Sequence, residues 1–230
     1  MNQDSADRDV EFDRSSPHEI EGADRAGMML RVKNRLRRHE GWVNHMYLDT
    51  KGNVTVGVGF LLPRSSEVGF YSWRTKDRSK GSVPLAYAKV EWNTVNRLPY
   101  GQGIKASTFD KKTTIELSDA TIGSVLTKKL ATLRDDLRRV FALDSEDDEG
   151  NIIARGVDFD ELPTTVQEAM LDLGWNVKGF QEANVFPKMK IAIKRGDWRT
   201  AAVESHRATP IPETRNAEIY ELIESAGHKR

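Results

Sequence analysis

The stretch His39–Leu62, HEGWVNHMYLDTKGNVTVGVGFLL, decides how the rest of the chain is understood. It opens at the end of an amphipathic helical pattern in which Met29, Val32, Leu36 and Glu40 share roughly one face. Gly41 is the stop signal, because glycine takes the left-handed conformation after a last helical turn without steric cost. The following residues predict strand, turn, strand. Met46–Leu48 leads to Asp49, Thr50–Asn53 forms the turn, and Val54, Val56 and Val58 alternate with Thr55, Gly57 and Gly59. A period-two strand sends the valines to a core and leaves the Thr55-Gly57-Gly59 face small, polar and open to a ligand. One acid thus ends a helix, a second begins a hairpin turn, and a hydroxyl sits on the returning strand. Two carboxylates held on different elements around a cleft suit glycosidic hydrolysis, where one protonates the leaving oxygen and the other activates water.

Taken singly, each residue has a plainer structural reading: Glu-Gly ends many helices, Asp begins many turns, and Thr suits any strand. The combination is more specific. The spacing Glu40, Asp49, Thr55 and the Thr-x-Gly-x-Gly strand together closely resemble the phage-type lysozymes of glycoside hydrolase family 24. The resemblance implies an α+β, mostly helical, two-lobed fold, with a small β-hairpin lobe and a helical lobe joined by a long helix. It implies that Glu40 is the general acid, Asp49 the base that orients water and Thr55 a helper holding that water, with Gly59 and Leu61 on the substrate side. The implied reaction is inverting hydrolysis of the β-1,4 link between N-acetylmuramic acid and N-acetylglucosamine in peptidoglycan. An inverting pair of carboxyl groups stands roughly 6.5–9.5 Å apart, leaving room for water. A non-catalytic wall-binding module is the alternative.

The chemistry of the positions fits those roles. Unpaired carbonyls at a helix C-terminus disfavour a negative charge on Glu40, and shielding by Trp42 would act in the same direction. Asp49, beside free turn amides and water, is expected to stay ionised.

The resemblance continues beyond the hairpin. Gly174-Trp175-Asn176-Val177 matches the segment that faces the acid from the second lobe, so Trp175 is expected to line a sugar subsite and Asn176 to hydrogen-bond near Glu40. Arg215 matches an arginine that approaches the catalytic glutamate, and its implied job is to hold geometry; the plain alternative is a surface arginine. Lys194–Trp198 with Ala201-Ala202-Val203 matches a packing pattern. Two departures stand out: Phe60 replaces a histidine of a structural ion pair, and Lys178 replaces a glycine. Residues 63–109 form an insertion with Phe70, Tyr71 and Trp73 in a polar loop, then a helix with Leu85, Trp92 and Val95 on one side. Those aromatics either stack on sugars or make a satellite core.

Around this centre the remaining signals are local. Ser118 is placed to cap a long helix whose buried stripe is Ile122, Val125, Leu126, Leu130, Leu133, Leu137 and Val140. Ser145–Gly150 looks like an acidic solvated loop, and Pro163 opens a helix carrying Val166, Met170, Leu171 and Leu173. Pro212–Glu218 begins the last helix.

The chain of 230 residues has no cysteine, which excludes disulfides, thiol chemistry and cysteine-based zinc sites. Its five histidines lack metal-ligand spacing, and no cofactor is expected. Residues 1–27 hold eight acids against three arginines, a charge of −5, so residues 28–230 carry +5 in a chain that sums to zero. That segment is expected to be a disordered tail or linker, and 28–230 the lysozyme-like domain. Five arginines and lysines between Met28 and Glu40 most simply make a solvated face, and no nucleic-acid motif accompanies them. No apolar run reaches membrane-spanning length and no signal peptide is apparent, so a monomer delivered to the wall by another agent is expected. The acidic segment and the insertion lean towards an antibacterial effector, which would need an inhibitory immunity partner.

Overall fold

The computed structural model describes residues 17–77, 82–208 and 211–228 and has an α+β, mostly helical architecture. Helix α1 (Pro17–Glu40) buries Met28, Val32 and Leu36 and ends at Gly41, whose φ of +82° is the expected left-handed stop. It begins eleven residues before Met28, so the expected disordered tail is helical from Pro17, and residues 1–16 lie outside the described residues. Composition misleads here because the downstream half of the helix buries one face, through Met28, Val32 and Leu36. Once that half is nucleated, helix-forming residues such as Ala23 and Ala26 extend it cheaply. The basic residues of α1 make a solvated face, as expected, and several of them also anchor the helix. Arg31 and Arg35 donate to buried Glu168 at 2.6 and 3.2 Å, and Arg38 and His39 reach Glu218, each at 3.0 Å.

Strands β1 (Val43–Leu48), β2 (Val54–Gly57) and β3 (Phe60–Leu61) form an antiparallel meander in that order. Tyr47 pairs with Thr55, and Thr55 with Leu61. The expected single strand through Gly59 is therefore corrected: Gly57 and Gly59, with φ of +69° and +74°, turn the chain back on itself. The open ligand-facing side is corrected too, because β2 is buried on both faces and Thr55 is only 2% exposed. The cause is Phe60. A β-carbon built on Gly57 would lie 2.6 Å from the Phe60 ring and 3.4 Å from Ile122, so glycine is required for the ring to lie there.

The segment after β3 folds onto the hairpin. Strand β4 (Trp73–Thr75) pairs with β5 (Ile115–Leu117), and α2 (Leu85–Val95) lies between them in sequence. Trp73 and Trp92 are buried, donating their indole N–H groups to the carbonyls of Val68 and Leu62. Buried Glu91 accepts from the backbone of Thr114 and Ile115. The insertion thus mainly builds core. Phe70 is exposed, and so is Leu85, against the expected burial, because the helix turns Ala88, Glu91, Trp92 and Val95 inward.

Helix α3 (Asp119–Ala142) is capped by Ser118, whose hydroxyl accepts from the Thr121 N–H at 3.0 Å. Trp42 and Asn44 donate to Asp119 at 2.9 and 2.8 Å, fastening the hairpin to the start of this helix. Residues 146–150 are exposed, as expected of a solvated loop. They belong to a hairpin of β6 (Ser145–Glu146) and β7 (Ile152–Ala154). Then follow α4 (Thr164–Asn176), α5 (Pro187–Lys194), α6 (Trp198–Glu204) and α7 (Glu213–Glu224). Val203 is exposed where packing was expected, while Ala201 and Ala202 are buried. One apolar core runs from the hairpin through α3 to α4 and α7. Among the described residues no helix is long and apolar enough to cross a membrane.

Candidate active site

Asp49 is built into its turn by its own side chain. One carboxylate oxygen accepts from the backbone N–H groups of Lys51 and Asn53 at 2.9 and 2.8 Å, and the other accepts from the Asn53 amide at 2.9 Å. The backbone closes through Asp49 N–H to Asn53 and Gly52 N–H to Asp49, both 3.0 Å. Gly52 is needed twice over: its φ is +84°, and a β-carbon there would meet the Tyr100 ring at 2.7 Å. The same turn recurs elsewhere. Asp147 accepts from the Glu149 and Asn151 backbones and from the Asn151 amide, with Gly150 at φ +81°. Both turns read Asp-x-x-Gly-Asn, a repeat visible in the sequence and missed there because the second was judged by charge alone.

Glu40 occupies the last position of α1, where the chain leaves the helix at Gly41. Arg215 Nη1, from α7, donates to Glu40 Oε1 at 2.6 Å, and Arg215 Nε donates to Asp172 Oδ1 at 3.1 Å. Arg215 is 5% exposed as a side chain and Asp172 fully enclosed, so the arginine is a buried bridge between α4 and α1, as the family resemblance implied for its contact with Glu40. Burial works against the Arg215 cation, but the Asp172 and Glu40 carboxylates outweigh it and hold its pKa above the ordinary value. A second buried cation, Arg207, sits 3.8 Å from Asp172, with its pKa lowered first by burial.

Tyr47, on β1, feels the charge of both acids. Its pKa is pushed from the ordinary 10.0 to about 12, first by burial and then by the negative charges of Asp49 and Glu40. The phenol on β1 therefore lies within the field of both carboxylates. A tyrosinate absorbance titration should show one tyrosine ionising only towards pH 12. Glu40→Gln and Asp49→Asn should each move that step back towards 10, and an unmoved step would separate the acids from Tyr47. Because the folded state holds this proton more tightly, stability from the group is present below about pH 10 and is lost as pH rises through about 12.

The remaining expected residues are placed unevenly. Thr55 is buried and donates its hydroxyl to the Asn53 carbonyl at 3.1 Å, bracing the Asp49 turn. That hydroxyl keeps lone pairs free to accept. Gly59, in the turn between β2 and β3, and Leu61, on β3, are exposed, Leu61 by 54%. Trp175 is half-buried and meets Phe60 edge-on at 6.1 Å, joining α4 to the hairpin. Asn176 does not bond Glu40; its amide donates to the Asp172 carbonyl at 2.8 Å, inside the last turn of α4. Trp42 is likewise engaged elsewhere, bonding Asp119 and lying 5.0 Å beneath the Arg37 guanidinium.

No family model and no curated protein matches this sequence. Among the described residues no group of three or more His, Asp or Glu is arranged to hold a metal ion. The site's resources are two carboxylates on different elements, one gripped by a buried arginine and one by its own turn. Such a set can donate and accept protons about a bond laid between them. Sequence reasoning missed Tyr47, Asp172 and Arg207. A charged residue inside the apolar stripe Val166–Leu173 was the available signal for Asp172.

Proposed function

We propose that this chain is a peptidoglycan hydrolase, a muramidase that cleaves the β-1,4 link after N-acetylmuramic acid with inversion. The observation that carries the reading is that Glu40, at the end of α1, is gripped by Arg215 at 2.6 Å while Asp49 is fixed by its own turn on a separate element. In the proposed reaction Glu40 gives its proton to the glycosidic oxygen as that bond breaks. Water attacks the anomeric carbon from the opposite side, and Asp49 takes the water's proton. Thr55 supports this indirectly, by holding the turn that aims Asp49. Exposed Gly59 and Leu61 and half-buried Trp175 would line the sugar path. Clearing of purified peptidoglycan by the full chain is the direct test.

One observation favours the second reading, a non-catalytic wall-binding module. Both Asp49 oxygens are already engaged by the turn, as both Asp147 oxygens are in the twin turn. The twin makes the comparison fair. Asp49→Asn and Asp147→Asn should cost similar stability, measured by thermal unfolding, because each removes the same hydrogen bonds. Only Asp49→Asn should lose hydrolysis, by about 10²-fold or more if the carboxylate is a base. Equal activity of the two variants would leave Asp49 a turn residue and give the site to binding.

A further inference from the structure

Tyr100 belongs to the stretch between α2 and β5, Pro99-Tyr100-Gly101-Gln102-Gly103, and its ring is laid on the turn that carries Asp49. A β-carbon built on Gly52 would stand 2.7 Å from Tyr100 Cζ and 2.8 Å from both Cε1 and Cε2. A point that close to all three carbons lies over the face of a phenol ring, not beside its edge. One face of Tyr100 is therefore flat against the bare backbone of Gly52. The residue is nonetheless 56% exposed, so the opposite face is open to water.

That open face is set beside the carboxylate proposed as base. Gly52 N–H donates to the Asp49 carbonyl at 3.0 Å, which closes a β-turn, and the ends of such a turn lie within about 7 Å of each other. Nor is the exposure that of a frayed loop. Leu98 and Ile104, on either side, pack against the core, and the Ala106 carbonyl meets His45 Nε2 of β1 at 2.9 Å. A chain held at both ends presents the ring, with Gly101 and Gly103 at φ +138° and +91° shaping the bend between.

We propose that Tyr100 is a saccharide-binding residue, whose open face stacks on a pyranose ring of the glycan in a subsite adjoining Asp49. Resting on the muramidase reading, this names a subsite for the same substrate. In a β-1,4-linked N-acetylhexosamine the substituents lie around the rim of the ring, and its faces are C–H groups that suit the negative face of an aromatic ring. Both Asp49 oxygens already accept from the turn, and stacking holds a sugar beside them without competing for those bonds. Such a contact is made equally before and in the transition state, so it acts on KM and leaves kcat nearly alone.

The test uses the full chain carrying Glu40→Gln, so that no strand is cut, with soluble peptide-free glycan strands as the probe and calorimetry as the readout. Adding Tyr100→Leu keeps an apolar cover on Gly52 but removes the flat face, and should weaken binding about tenfold. Tyr100→Phe keeps the face and should bind like the unsubstituted tyrosine. Tyr87→Ala, which removes an exposed tyrosine that bonds Thr114, should change nothing. In the active chain Tyr100→Leu should raise KM about tenfold with kcat nearly unchanged. If Tyr100→Leu fails to fold, the Tyr100 ring-proton resonances of the Glu40→Gln chain carry the test, and they should shift as glycan is added. Unmoved resonances, undiminished binding by Tyr100→Leu, an equal loss in Tyr100→Phe, or no glycan binding at all would each overturn the platform. A chain that binds glycan through Tyr100 but clears no peptidoglycan would sink only the muramidase reading. One that clears peptidoglycan as well with Tyr100→Leu as without it would sink only the platform.

Discussion

Glu40→Gln is expected to lower hydrolysis of peptidoglycan by about 10²- to 10⁴-fold, the range a positioned general acid supplies. The amide keeps the size of the side chain and can still face Arg215, so thermal unfolding should show a folded protein. What it lacks is a proton to give to the leaving oxygen. A folded Glu40→Gln variant that clears peptidoglycan at the wild-type rate would remove the acid from the mechanism. The experiment is informative because the ion pair with Arg215 at 2.6 Å would hold α1 to α7 whether or not Glu40 is an acid. Only the separation of activity from stability distinguishes the two.

Phe60→Ala should produce the largest loss of stability among single changes near the site, about 3–5 kcal/mol. The ring is 2% exposed, covers Gly57, stacks 6.4 Å from Tyr71 and meets Trp175 edge-on at 6.1 Å, with the Lys129 ammonium 5.7 Å above it. Its removal opens a cavity where the hairpin, the insertion and α4 converge, and Gly57, lacking a side chain, cannot fill it. Each kcal/mol moves Tm by roughly 2–4 °C in a chain of this size, so calorimetry reads the effect directly. A shift of only a degree or two would mean that the three elements are held together without the ring.

Much of this arrangement was legible because its signals are local. The end of α1 at Gly41, the Asp49 turn and the Ser118 cap each depend on a few neighbouring residues whose torsions or hydrogen bonds are nearly obligatory. Arg215 was found through resemblance, and its contact with Glu40 is present. What stayed hidden depends on partners distant in sequence. The polar face of β2 could not be seen to be covered, since Phe60 reaches over it only after the turn at Gly57 and Gly59. Asp172 went unnoticed because the cation that explains it lies in α7. The pairing of β4 with β5 spans the whole insertion, and no periodicity in either three-residue strand announces it. The arginines of α1 gave a charge count but not their acceptors, Glu168 and Glu218.

Gly41 has a mechanical meaning as well. On one side of it, α1 is pinned by ion pairs to α4 and α7; on the other, the hairpin is pinned by Trp42 and Asn44 to the start of α3. The two acids therefore belong to separately anchored bodies, and the chain between those bodies is a single residue at φ +82° with no heavy atom within 4 Å of where its side chain would be. With 24 residues, α1 is a rod about 36 Å long. Gly41 is where this rod ends, so Glu40 sits at the junction between the two anchored elements. The Phe60–Trp175 contact is a second tie between the hairpin and the helices.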